Sequence, residues 1–270
     1  MATSKSVEAK KDQAMAAYDY GDDAGSGYES QSGDDIAIPF VSVLQSNSPQ
    51  CADEDSTARP GMIYNTVTEE AVSGKEGLVL IPATTQHVFV EFVPRDEGGG
   101  FVGVHQVDSP EVKQAKSSCE FGQYKSSAGN ELVETFYVYG VMEDDDGNAG
   151  GMAVLAFTSS KIKVYKRWNT KLRMFTINNG GRKIRPPLFA HRVRLTTEKE
   201  KNAKGEFFNF KLQPAEGDLQ SSLIPPGDER MEAAKQCKDL IEGGEARASY
   251  ETQEATSRVP GSDDDEPAPF

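Results

Sequence analysis

The sequence predicts a mainly β fold with two helices, of the α+β class. Three observations lead there. Residues 61–106 and 131–158 are filled with β-branched and aromatic runs broken by glycine-rich or acidic turns. A helical apolar stripe follows, in the stretch after Ser159. Two further alternating runs and a second helical stripe complete the pattern before the chain loses periodicity near Gly243.

Residues 1–35 run through Ala, Ser, Gly, Asp and Gln with little apolar periodicity, and read as a disordered acidic arm. Order is expected from Ile36, where IAIPFVSVLQ suits an extended or short-helical entry around Pro39. GMIYNTVTEEAV and GLVLIPATTQHVFVEFVP read as strands; in the latter Val88, Val90 and Phe92 alternate with Phe89, Glu91 and Val93. DEGGG reads as a hairpin turn, since no Lys-Ser/Thr follows to make a phosphate cradle, and FVGVHQV returns as a strand. ELVETFYVYGVM and GGMAVLAFTS are strands joined by EDDDGN, a hairpin turn that lacks the spacing and closing Glu of a calcium loop.

Ser159 and Ser160 are candidate caps for the first helix, in which Val164, Trp168, Leu172 and Phe175 recur on one face with Tyr165 adjoining. FAHRVRLTTE and EFFNFKLQP form a hairpin about NAKG, with Arg192 and Arg194 on one face and His191, Val193 and Leu195 on the other. Asp228 is the candidate cap of the second helix, whose apolar stripe is Met231, Ala234, Cys237, Leu240 and Ile241. Strands, helix, two strands is the order of a five-stranded Greek-key barrel with a helix between its third and fourth strands. The expected architecture is therefore OB-fold-like, over residues 36–242, with disordered tails at 1–35 and 243–270; a β-sandwich is the alternative.

Composition narrows the function. The formal net charge of -14 argues, taken alone, against a nucleic-acid partner. Its distribution reverses that argument. Residues 161–211 hold 15 Lys+Arg and 3 Asp+Glu, a net of +12, so the remainder carries -26. A basic block inside an acidic chain is either neutralised internally or reserved for a polyanion. No apolar run reaches the roughly 18 residues of a membrane span, and the N-terminus lacks the apolar core of a secretory signal. Cys51, Cys119 and Cys237 are far apart, and share no ligand spacing with His87, His105 or His191. Neither a metal site nor a disulfide framework is expected, and no cofactor is implied. Nucleophile, base and metal motifs of the common enzyme classes are missing, so no enzyme is expected; His191 reads as a hydrogen-bonded residue of the inner face.

The basic block interleaves cations with rings: Lys161, Lys163, Tyr165, Lys166, Arg167, Trp168, Lys171, Arg173, Arg182, Lys183, Arg185, Phe189, Arg192 and Arg194. Single-strand binders need cations to follow phosphates and ring faces on which splayed bases stack. These fourteen are the candidate DNA-binding residues. The competing reading is a solvated amphipathic helix whose Tyr165 and Trp168 belong to the core.

The chain closes with Asp263, Asp264, Asp265, Glu266, Pro267, Ala268, Pro269 and Phe270. This resembles the tail of bacterial single-stranded DNA-binding proteins, which ends in three Asp, a Pro and a terminal Phe; it departs by an extra Pro-Ala pair. IPFVSVLQSNSPQ, PRDEGGGFVGVHQ and PLFAHRVRLTT resemble a tailed-phage family of single-stranded DNA-binding proteins, over residues 36–250. The resemblance implies a sequence-nonspecific single-strand binder of replication, recombination or repair, working in the cytoplasm of a bacterial host. It implies that Asp263, Asp264, Asp265, Glu266 and Phe270 dock a polymerase, helicase or primase, and homodimerisation is left open. An apolar plug beside acids suits a pocket lined by Arg or Lys, and tethered acids can compete with DNA for the chain's own cations. The alternatives are a strand-annealing recombination protein, or an acidic virion or host-inhibitor protein that binds no DNA.

Overall fold

The computed structural model describes residues 26–27, 37–52, 56–119, 122–202, 205–244 and 247–248. Apart from residues 26–27, the expected N-terminal arm lies outside them, as does the tail from residue 249 onward.

The described chain runs β1 (Ala37–Ile38), β2 (Val41–Val43), β3 (Ile63–Asn65), β4 (Ala71–Val72), β5 (Leu78–Phe92), β6 (Phe101–Gln106), α1 (Pro110–Ser117), β7 (Tyr124–Lys125), β8 (Glu131–Glu143) and β9 (Ala149–Thr158). Then come α2 (Ile162–Met174), β10 (Ile177–Asn179), β11 (Arg182–Ile184), β12 (Val193–Asn202), β13 (Gly205–Pro214), α3 (Glu229–Gly243) and β14 (Arg247–Ala248). The mainly β expectation holds. A third helix, α1, joins the two expected ones. Its signal was in the sequence: Ser109 caps it, accepting from the Val112 N–H at 3.3 Å, and Pro110 follows in the first turn. Asp228 caps α3 as expected, its Oδ1 accepting from the Arg230 N–H at 3.0 Å.

The main sheet is antiparallel and built on β5, which pairs along its length with β8, from Leu80↔Met142 to Phe92↔Glu131. The other edge of β5 is shared. Leu78, Val79 and Leu80 pair with β12, and residues 88–92 pair with β6. β12 continues into the β13 hairpin, and β8 pairs with β9 and, near its start, with β7. Across one half the order is therefore β13-β12-β5-β8-β9.

An irregularity between Pro82 and Thr84 sets which side chains face which core. Before it, Leu80 faces one cluster and Ile81 and Ala83 the other; after it, Val88, Val90 and Phe92 have taken over the second face. One extra residue inverts the alternation. That is why both alternating sets of this strand are apolar. One face packs on α3 through Met231, Ala234, Cys237 and Ile241. The other packs on β2, β3 and α2 through Val41, Val43, Ile63 and Tyr165.

A closed five-stranded barrel is not found. Among the described residues no ladder joins β9 to β13, and the segment Phe40 to Gln45 stands between them. Val154 N–H donates to Pro39 O at 2.9 Å, Phe40 bridges Val154, and the Gln45 side chain reaches Phe208 on β13. The three cysteines are unbonded. No helix among the described residues is long and apolar enough to cross a membrane.

Candidate nucleic-acid interface

Residues 161–185 contain nine Lys/Arg and no Asp/Glu. A helix with that composition holds together through its apolar stripe. Tyr165, Trp168 and Leu172 are the buried residues of α2. Tyr165 stacks on Phe136 of β8, with ring centres 4.7 Å apart and planes at 26°. Trp168 and Leu172 pack with Val193. The N-cap position of α2 is Lys161 rather than the expected Ser159 or Ser160, and the Lys161 side chain makes no cap. A 3-10 turn, Ser159–Lys161, leads into the helix, with Ser159 at φ 47. Phe175 ends the helix in extended conformation, its N–H shared between Lys171 O and Leu172 O.

The chain then makes a second small element, the β10–β11 hairpin, which the sequence reading does not include. Ile177↔Ile184, Asn178↔Lys183 and Asn179↔Arg182 pair across a two-residue turn. Gly180 and Gly181 form that turn, both at positive φ (58 and 82), as a primed hairpin turn demands. From Arg182 to Arg185 every residue is exposed, and buried Pro186 returns the chain to the core.

Helix and hairpin together expose Lys163, Lys166, Arg167, Lys171, Arg173, Arg182, Lys183 and Arg185. Lys163 pairs with Glu200 at 2.6 Å. The other seven have no carboxylate within ion-pair distance among the described residues. The neighbouring hairpin is different: Lys199 pairs with Glu206 and Lys211 with Glu198. Like charges left unpaired side by side repel one another, and an incoming polyanion relieves that repulsion.

Six of the fourteen candidate residues sit otherwise than an open binding face requires. The rings of Tyr165 and Trp168 are 7% exposed and serve the core, because α2 has no other apolar side to bury. Lys161 is half-buried with Nζ over the Phe210 ring, and burial pulls its ammonium down to about 8. Phe189 is half-buried under Lys235 and packs on the core beneath α3. Arg192 is structural. Its Nε and Nη2 meet both oxygens of Glu143 at 2.5 and 2.8 Å, and its Nη1 meets Glu216 at 2.5 Å. Arg230 adds a further contact to Glu143 and a double one to Asp228, whose carboxyl it holds down to about 2. Arg194 is half-buried and donates to Glu76 O at 3.3 Å. Asp263, Asp264, Asp265, Glu266 and Phe270 lie outside the described residues.

The sequence reading missed the apolar groups exposed on α2 and the β10–β11 hairpin, which together make the basic arm of the fold. Met174 is 78% and Ile184 37% exposed, two of the four large hydrophobics left open among the described residues. Phe175, half-buried, meets the His191 ring edge-on at 6.0 Å. Met174 and Phe175 lie where the stripe of α2 ends, and Ile184 closes β11 opposite Ile177. His191 is buried, its Nδ1 has no hydrogen-bond partner among the described residues, and burial lowers its pKa to about 4. The expected hydrogen bond is not made at that atom.

A family model for Pam3 phage gp34-like proteins matches residues 8–247. The chain belongs to that family. Membership in the Pam3 phage gp34-like proteins makes it a phage protein, and the matched span includes the main sheet, α2 and the basic hairpin. No curated protein and no solved structure matches the chain.

Proposed function

We propose that this gp34-like chain is a sequence-nonspecific single-stranded DNA-binding protein of the phage, a binding protein rather than an enzyme, acting in replication, recombination or repair in the host cytoplasm. The observation that carries the reading is the run of seven exposed cations on α2 and the β10–β11 hairpin that no described carboxylate neutralises. Cations along one arm suit a flexible phosphate backbone, and the arm lacks the patterned polar face of a helix that reads bases in a duplex groove. Strand order supports the same reading. The first long strand pairs with the second and fourth, the fifth with the fourth, and α2 separates the third from the fourth. This order supports an OB-fold-like reading of the open sheet, with the Phe40 to Gln45 segment standing where a closed barrel would pair its third and fifth strands. On this reading Asp263, Asp264, Asp265, Glu266 and Phe270 dock replication proteins and compete with DNA for the arm.

The test is fluorescence anisotropy with labelled oligothymidylate and with a duplex of the same length, at several salt concentrations. Single strands should bind more tightly, and log affinity should fall linearly with log salt. Changing Lys166, Lys171, Arg182 and Lys183 together to Gln should flatten that slope by roughly 3, at about 0.7 per phosphate contact on a single strand. Equal affinity for duplex, or an unchanged slope in the variant, would overturn the reading. Absence of DNA binding at every salt would favour the acidic virion or inhibitor protein.

A further inference from the structure

We propose that His87 is a platform on which an unpaired base stacks, where a strand held by α2 crosses onto the main sheet. The inference rests on the single-strand reading above and names a residue outside the basic block. On the sheet face beneath α2, three rings lie in register. Tyr165 stacks on Phe136, and Phe136 stacks on His87 of β5 with centres 4.0 Å apart and planes at 14°. Tyr165 and Phe136 are buried, whereas the His87 side chain is 34% exposed. The stack therefore starts in the core and ends at the surface in a planar ring.

That ring is already held in place. Its face rests on Phe136 and its Nε2 is 2.8 Å from Glu134 Oε1. A fixed ring loses little conformational entropy when a base settles on it. The surroundings suit a nucleotide. Lys166 of α2 stands 5.7 Å from the Phe136 ring centre, and on the other side Lys116 of α1 stands 4.8 Å over Phe89, whose ring is 6.1 Å from His87. An ammonium on each side offers a path for phosphates. Glu134, 27% exposed beside the ring, disfavours a phosphate at that point and leaves the neutral base as the group that fits. The buried rings Tyr165 and Trp168 cannot supply such a face, and His87 can; imidazole is among the rings on which splayed bases stack.

The experiment compares two labelled probes of equal length on the full chain, an oligothymidylate and an abasic oligonucleotide with the same backbone. His87→Leu keeps Phe136 covered but removes the π-face. It should weaken oligothymidylate binding on the order of tenfold and leave abasic binding unchanged. His87→Tyr should restore the preference for bases. Equal losses on both probes, or no loss on either, would overturn the platform while leaving the single-strand reading intact. If the unmodified chain bound neither probe, the single-strand reading would fail, and the platform with it. Thermal melting of both variants separates a folding defect from a binding one, and the Tyr variant keeps the comparison decisive if the Leu variant is unstable.

Discussion

The side-chain amide of Gln45 pairs with both main-chain groups of Phe208: Nε2 donates to Phe208 O at 2.8 Å, and the Phe208 N–H donates to Oε1 at 2.9 Å. One carboxamide thereby takes the place of a neighbouring strand on β13, in the gap where no ladder joins β9 to β13. Close approach around it depends on Gly61, at φ 87, where a Cβ would stand 2.7 Å from the Phe208 ring. Thr197 Oγ1 on β12 ties the same corner, donating to Gly61 O at 2.6 Å.

Gln45→Leu should therefore destabilise the protein out of proportion to its change in volume. Gln45 is buried, and the substitution leaves the N–H and C=O of Phe208 without partners. A fully buried orphaned group costs about 1–3 kcal/mol, and Phe208 is half-buried, so the lower end applies to its two groups and urea unfolding should report a loss of about 2 kcal/mol. A loss below about 0.5 kcal/mol, the scatter of a neutral surface change, would mean that water replaces the amide at this edge.

Arg192 and the arm cations should part company on substitution. Arg192→Glu sets a carboxylate against Glu143, which is 5% exposed and also faces Arg230. Breaking a buried pair costs about 3–5 kcal/mol, so the variant should melt early. Lys171→Glu with Arg182→Glu changes two exposed, unpaired groups. It should leave the melting temperature nearly unchanged while weakening single-strand affinity at least tenfold at low salt. If Arg192→Glu melted like the parent and lost affinity instead, Arg192 would belong to the binding face.

These two behaviours explain what was legible beforehand. Strand positions were, because alternation is local: β5, β8, β9, β12 and β13 fall where β-branched runs lie between turns. The primed turn at Gly180 and Gly181 was not, since three-residue strands carry too little alternation to stand out. The role of Arg192 was hidden for another reason. Its alternation with Val193 and Leu195 marks an outward face, but Glu143, its partner, lies 49 positions away and meets it only once the sheet and α3 have assembled. Tyr165 and Trp168 were ambiguous because one stripe of rings among cations fits both a core and a stacking surface. Burial against Phe136 and Val193 decides it.

His191 predicts an acid-sensitive stability. Burial lowers its pKa to about 4 from an ordinary 6.5, so the folded state keeps the ring neutral where the unfolded chain takes up a proton. Its contribution is fully present above pH 6.5 and is lost as pH falls toward 4, by on the order of 3 kcal/mol in all. His191→Phe should flatten the stability profile across that window, measured as urea midpoints at stepped pH. Loss that persists unchanged in the variant would assign the acid limb to carboxylates instead. Asp228, held at about 2, acts at lower pH, so the two windows are separable.

Neutralising the tail acids should tighten DNA binding. Asp263, Asp264, Asp265 and Glu266 sit in a chain whose +9 stretch at residues 161–185 has no acid of its own. On the proposed reading the tail competes as a tethered anion at roughly millimolar effective concentration, and DNA displaces it before occupying the arm. Asn at the three Asp positions and Gln at Glu266 removes that competitor without shortening the chain. Apparent affinity for oligothymidylate should rise, most at low salt, and the gain should shrink above about 0.15 M as screening shortens the reach of exposed charges. Combining the change with Lys171→Glu and Arg182→Glu should abolish the gain, because the cations proposed to attract the tail would then be gone. An equal gain in both backgrounds would mean that the acids act through net charge alone and not through the arm.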